Sequence, residues 1–206
     1  MKCGIIKIPE SDEALSLCLS QVMYIFISKL NINRVKNNLT TGNPSRNTPH
    51  YEDPQDIPEQ FADIVEELRT KAQDVRSIHI RKPSSGNAAA AKLELETGRV
   101  YSKEATSKKK PLNIPGRDNG PKLFFQERID RAALHNNYNK EHAEYKLFNA
   151  LAEELEGDSV PSEATGRLYL YTDMDMCSGC NTTCDEDFAR LFPNIEVIIF
   201  YKEPYP

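Results

Sequence analysis

Three of the five cysteines in this 206-residue chain fall within eight residues, at Cys177, Cys180 and Cys184. The first two form a Cys-Ser-Gly-Cys at what reads as the junction of a strand and a helix. Unsatisfied N–H groups and the helix dipole at such a place favour thiolates, the form that binds metal. Two thiolates at that spacing are half of a zinc site, and a third ligand has to come from elsewhere. His142 opens the preceding helix and is followed at i+2 by Glu144. On a regular helix these two diverge by roughly 200°, so they share one pocket only if His142 sits at the helix lip. Glu144 stands three and four residues before Leu147 and Phe148, which turns it toward the buried stripe. A carboxyl there, with no basic partner beside it in sequence, is costly unless it has a chemical task. Together these residues describe a zinc with three protein ligands, His142, Cys177 and Cys180, and one open position. Such a site activates water while a carboxylate, Glu144, moves the proton.

Other uses of the same residues are weighed beside this one. Cys184 lies four residues past Cys180 and four before Phe188 on one helical face, as a small core residue would; as a fourth ligand it would close the site and make it structural. An iron–sulfur site lacks a fourth cysteine nearby. A thioredoxin-like dithiol fits Cys177 and Cys180 but leaves His142 and Glu144 idle. His135 competes as a ligand, yet nothing at i+2 supports it, and it reads as a loop or surface residue. Cys3 and Cys18 read as free thiols. Tyr138 either stacks on a base or packs on its own loop.

The elements that must position these groups follow from periodicity. His142 to Leu155 is helical, with Leu147, Phe148, Leu151 and Leu155 in one apolar stripe. Arg167 to Asp173 is a strand in which Leu168 and Leu170 alternate with Tyr169 and Tyr171. A helix begins near Cys177 and continues through Asp185 to Phe192, and Ile195 to Tyr201 is a nearly continuous apolar run, as in a strand buried on both faces. Helix, strand, helix, strand with short connections predicts a parallel pair joined by a right-handed crossover, and hence an α/β fold. Upstream, Pro58 opens an amphipathic helix carrying Phe61, Ile64, Val65, Leu68, Ala72 and Val75. Asn87 to Leu95 and Gly98 to Tyr101 form a hairpin across Glu-Thr-Gly, and Ser102 to Pro121 reads as loop. Residues 1–33 read as a short strand and an apolar helix, and residues 34–57, rich in Asn, Thr, Pro, Ser and Asp, as a linker.

Composition excludes several classes. Leu15 to Leu30, the best apolar run, is broken by Ser16, Ser20, Gln21, Ser28 and Lys29, so no membrane span is expected. Glu10, Asp12 and Glu13 interrupt any signal-peptide pattern. The formal charge is -5, but Arg76 to Lys140 carries fourteen Lys/Arg against six Asp/Glu, leaving -13 for the rest. That asymmetry suggests either a polyanion-facing surface or a solvated basic loop around Lys108, Lys109 and Lys110.

The order His-x-Glu, strand, Cys-x-x-Cys is that of the zinc deaminases. Residues 142–201, reading HAEYKLFNALAEEL, GRLYLYTDMDMCSGC and FPNIEVIIFY, resemble the toxin-deaminase branch of the cytidine deaminase-like superfamily. GNAAAAKLEL resembles that family's first core strand, so the likeness covers about residues 86–202. The resemblance implies an α/β/α sandwich with a mixed sheet of four to five strands. It also implies a deaminase-like catalytic domain over residues 58–206, preceded by an accessory N-terminal helix and linker over residues 1–57. His142, Cys177 and Cys180 match the family's Zn2+ ligands, and Glu144 its proton shuttle. Water activated by the zinc would attack C4 of a cytosine, or C6 of an adenine, in single-stranded or extruded nucleic acid. The family further implies a bacterial toxin acting in a target cell and an immunity protein in the producer. Two departures stand out. Met176 replaces the usual Pro before the first Cys, and the chain ends just after its last strand, so a fifth core strand is missing or supplied from upstream. The rival readings are a structural zinc module for protein interaction and a deaminase of free nucleosides.

Overall fold

The computed structural model describes residues 48–82, 85–108, 123–129 and 138–205. The N-terminal strand and helix expected over residues 1–33, Lys109, Lys110 and His135 lie outside the described residues. Five strands make one mixed sheet: β1 (His50–Glu52), β2 (Ala88–Leu95), β3 (Val100–Thr106), β4 (Gly166–Met174) and β5 (Ile195–Glu203), in the order β1-β5-β4-β2-β3. β1, β5 and β4 run parallel, whereas β2 is antiparallel to both β4 and β3. Helix α1 (Ala62–His79) covers one face with Val65, Leu68 and Ala72 against Ala90, Tyr169, Tyr171, Ile198 and Phe200. The other face carries α2 (Ala143–Gly157) and the helix that follows Cys177. The fold is the expected α/β arrangement, with helices on both faces of a five-stranded sheet.

Local chemistry explains the elements. Alternation along β4 sends Leu168 and Leu170 to the α2 face and Tyr169 and Tyr171 to the α1 face. β5 is buried on both faces from Val197 to Phe200, as its unbroken apolar run requires. α2 is buried on every side from Ala143 to Ala152, because the 123–129 segment lies over its outer side. Asn149 Oδ1 accepts from Phe124 N at 2.8 Å, and Tyr145 OH donates to the Phe125 carbonyl at 2.6 Å. Phe148, Phe188 and Phe192 fill the space beneath, with successive ring centroids 5.3 Å apart.

Two expectations need correction. The stretch read as linker contains β1: Ile199 N donates to Pro49 O at 3.0 Å and Asp53 N to Tyr201 O at 2.8 Å. Three residues are too few to show alternation; the free edge of β5, not the segment's own pattern, makes them a strand. The fifth strand thus comes from upstream. The second correction concerns β3, which runs on to Thr106, with Ala88 opposite Thr106, where loop was expected from Ser102. Charged and small residues suit an edge strand, and they conceal it from a search for apolar alternation.

Candidate active site

The site forms beyond the C-terminal end of β4, where the chain leaves the sheet through Asp175 and Met176 into α3 (Ser178–Thr182). The helix continues as a π-turn over Thr183–Phe188 and then α4 (Ala189–Leu191). Cys177 is the residue before the first helical turn, and its Sγ accepts from Cys180 N at 3.4 Å. On the facing element, His142 occupies the same kind of position before α2, with extended backbone (φ -72°, ψ 144°). That conformation departs from helical geometry and frees the imidazole from the 200° divergence, as a position at the helix lip requires. His142 Nδ1 stands 3.3 Å from Cys177 Sγ and 3.6 Å from Cys180 Sγ. One ligand atom from each of the three residues lies within 4.8 Å of the others.

Glu144, in the first turn of α2, is 2 % exposed. Its Oε1 accepts from Thr172 Oγ1 at 2.6 Å and from the side-chain amide of Asn87. Its Oε2 lies 3.9 Å from Cys180 Sγ. Burial pushes the carboxyl up from its ordinary value, and the Thr172 hydrogen bond opposes this. The two sulfurs behave as a pair. Hydrogen bonding from Cys180, joined by His142, pulls the Cys177 thiol down to about 5 against its burial. Burial, the hydrogen bond to Cys177 and the adjacent Glu144 push Cys180 up. The metal-free pair therefore holds one negative charge stably and resists a second. A divalent cation removes that resistance, so one imidazole and two inward sulfurs fit zinc.

Cys184 is fully buried, packs in the core of this face, and lies 3.6 Å from Thr48 Oγ1; the His142 group does not include it. Met176, where the family's Pro would stand, uses the N–H that Pro lacks: it donates to Asp175 Oδ1 at 2.8 Å, the atom 2.6 Å from His50 Nδ1. Tyr138 is 49 % exposed, with Lys140 Nζ 5.6 Å from its ring centroid, so it is no internal packing residue. Of the basic strip, Arg76, Lys92, Lys103, Arg128 and Lys140 form ion pairs with Asp173, Glu67, Glu154, Asp187 and Glu127 respectively, and Lys108 is exposed.

Asn87 and Thr172 escaped the sequence reading, although a signal existed. Thr172 shares the parity of Leu168 and Leu170, and Asn87 that of Ala89, Ala91 and Leu93, all on the α2 face. Asn87 also ties the strand ends, accepting from Met174 N at 3.2 Å and donating to Thr172 Oγ1 at 2.9 Å.

No curated protein matches the chain. The sequence profile of the toxin-deaminase family, described as the BURPS668_1122 family of deaminases, matches residues 66–203. That span runs from the first turns of α1 to the end of β5 and takes in every residue of the site described above. The chain therefore belongs to the toxin-deaminase family, a group of deaminases within the cytidine deaminase-like superfamily.

Proposed function

We propose that this deaminase is zinc-dependent and acts on a nucleic-acid base, with cytosine converted to uracil as the favoured reaction. The observation that carries the reading is the buried Glu144 carboxyl, answered by neutral donors and standing beside a His/Cys/Cys group. Bound by His142, Cys177 and Cys180, zinc supplies a water acidified to near neutral pH. The remaining work falls to the chain's own residues. Glu144 would take a proton from the water and deliver it to ring N3 as the oxygen bonds C4, then carry the remaining proton from that oxygen to the exocyclic amine, so that the C4–N bond breaks, ammonia leaves and C4=O remains. Thr172 and Asn87 hold the carboxylate by one oxygen, leaving Oε2 to face the reaction. The ring of Tyr138, exposed four residues before His142, offers a stacking surface for a neighbouring base.

A nucleic-acid substrate, extruded or single-stranded, is supported by the excess of cations over residues 76–140. The ion pairing of five of them favours a second reading, a free nucleoside as substrate. An immunity protein that occludes the site is the matching proposal for a producing cell. The test is to express the chain, and separately Glu144→Gln, in bacteria and to sequence their DNA and RNA. We expect C-to-T transitions in DNA or C-to-U changes in RNA with the parent alone. Unaltered nucleic acid, together with deamination of free cytidine by purified parent, would overturn the nucleic-acid reading.

A further inference from the structure

Asn139 is a neutral, fully buried side chain four residues before the first residue of α2, and every polar atom it owns is engaged. Its backbone N–H donates to Arg128 O at 2.9 Å, and its Oδ1 accepts from Arg128 N at 2.8 Å. Its side-chain Nδ2 donates to Thr183 Oγ1 at 3.3 Å. Its backbone carbonyl accepts from His142 N at 2.9 Å, closing the single 3-10 turn Asn139–Glu141 that delivers the imidazole. Thr183 in turn donates to Gly179 O at 3.0 Å, on the residue before Cys180.

From this geometry we infer that Asn139 is a positioning residue for the metal site: a latch that sets the spacing between His142 and the helix bearing Cys177 and Cys180. The inference rests on the zinc reading proposed above. The three ligands come from two elements far apart in sequence, and among the described residues no backbone–backbone hydrogen bond joins the start of α2 to α3. Asn139 bridges them within one residue, through its carbonyl toward the histidine and its amide toward the cysteine helix. Gly179 packs directly against it, a Cβ there standing 3.4 Å from Asn139 Nδ2, at ordinary van der Waals distance. Aspartate has the shape but not the donor, and glutamine has the donor one methylene too far. Arg128 reinforces the clamp, its guanidinium donating to Asp187 Oδ2 at 2.8 Å on the same π-turn.

Partners that orient metal ligands typically govern about 10–100-fold in metal affinity. The test measures zinc affinity of the full chain by competition with a chromophoric chelator, and thermal unfolding of the metal-free form. Asn139→Ala should weaken zinc binding by about 10–100-fold. Thr183→Val, which removes one hydroxyl at constant volume, should weaken it in the same direction, and Thr183→Ser should restore it. The double variant Asn139→Ala/Thr183→Val should fall short of the sum of the two effects, because both cut one connection. Should Asn139→Ala fail to fold, the Thr183 pair decides alone. Parent-like affinity in a folded Asn139→Ala or in Thr183→Val overturns the latch and leaves the zinc reading standing. A parent that takes up no zinc overturns both.

Discussion

The sheet buries a carboxylate on each face, and the two are answered differently. On the α1 face Asp53, 6 % exposed, accepts from Arg69 Nε at 2.8 Å, from Arg69 Nη2 at 2.6 Å and from Tyr171 OH at 3.1 Å. The bond to Asp53 holds the Arg69 guanidinium above even its ordinary value. On the α2 face Glu144 meets a hydroxyl, an amide and a thiol, none of them a cation. Adjacent residues of β4 supply both sets: Tyr171 reaches Asp53, and Thr172 reaches Glu144. One residue of strand pleat separates a carboxylate paired with a guanidinium from one answered only by neutral donors, whose carboxyl burial pushes up. A charged partner makes a buried acid structural; neutral partners leave it able to do acid–base work.

The largest expected effect tests that contrast at Glu144. Glu144→Gln keeps the acceptor for Thr172 and Asn87 but carries no proton, so deamination should fall by about 10²–10⁴-fold with zinc content and unfolding midpoint near the parent's. A near-parental rate would mean that another group moves the proton.

Arg69→Met is the counterpart on the opposite face. It strands Asp53, and we expect urea unfolding to show a loss of about 3 kcal/mol, while the folded fraction deaminates at the parent rate. A lost rate with unchanged stability would show that the two carboxylates are not separate in role.

Lys146 sharpens the comparison from the cationic side. It is 4 % exposed, and its Nζ donates to Thr106 O at 2.9 Å and to Lys108 O, neutral partners once more. Burial pushes it down to about 8 from 10.5. Between those values the unfolded chain holds a proton that the folded chain does not, so stability rises with pH there; below about 8 both forms are charged and the full cost applies. Relative to Lys146→Met, the parent should gain on the order of 2 kcal/mol between pH 7.5 and 10.5. A flat difference across that window would show the ammonium fully compensated by its two carbonyls.

The smallest effect is expected at Cys184, where the α2-face core begins to be merely core. Cys184→Ala should leave one zinc per chain, measured by atomic emission, whereas Cys180→Ala should not. Equal losses would make Cys184 a ligand and close the open position.

What could be read in advance was whatever the chain encodes over a few residues. The His-x-Glu and Cys-x-x-Cys spacings, the stripe of α2 and the parity of β4 are local patterns, and the structure brings their residues together. The requirement that His142 sit at the helix lip was likewise local geometry. β1 and the last five residues of β3 were hidden because edge strands take their structure from a neighbour. The π-turn at Thr183–Phe188 leaves no mark in apolar spacing. Lys146 was invisible for a related reason, since it is held by backbone carbonyls of a distant segment whose side-chain identities say nothing about it, and Asn139 because its partners, the Arg128 backbone and the Thr183 hydroxyl, are remote in sequence.

The pairing of His50 with Ile199 also orders events in time. β5 is the last described strand, so β1 pairs with a strand more than a hundred residues downstream and can join it only once that strand has been made. Closing a loop of that length carries a large entropic cost relative to the few hydrogen bonds of a three-residue strand. On that cost β1 is expected to join the sheet after β4 and β5 have paired. It brings His50 to Asp175, at the turn just before Cys177. A three-residue strand thus carries, across a long stretch of intervening chain, the histidine that holds the turn leading into Cys177.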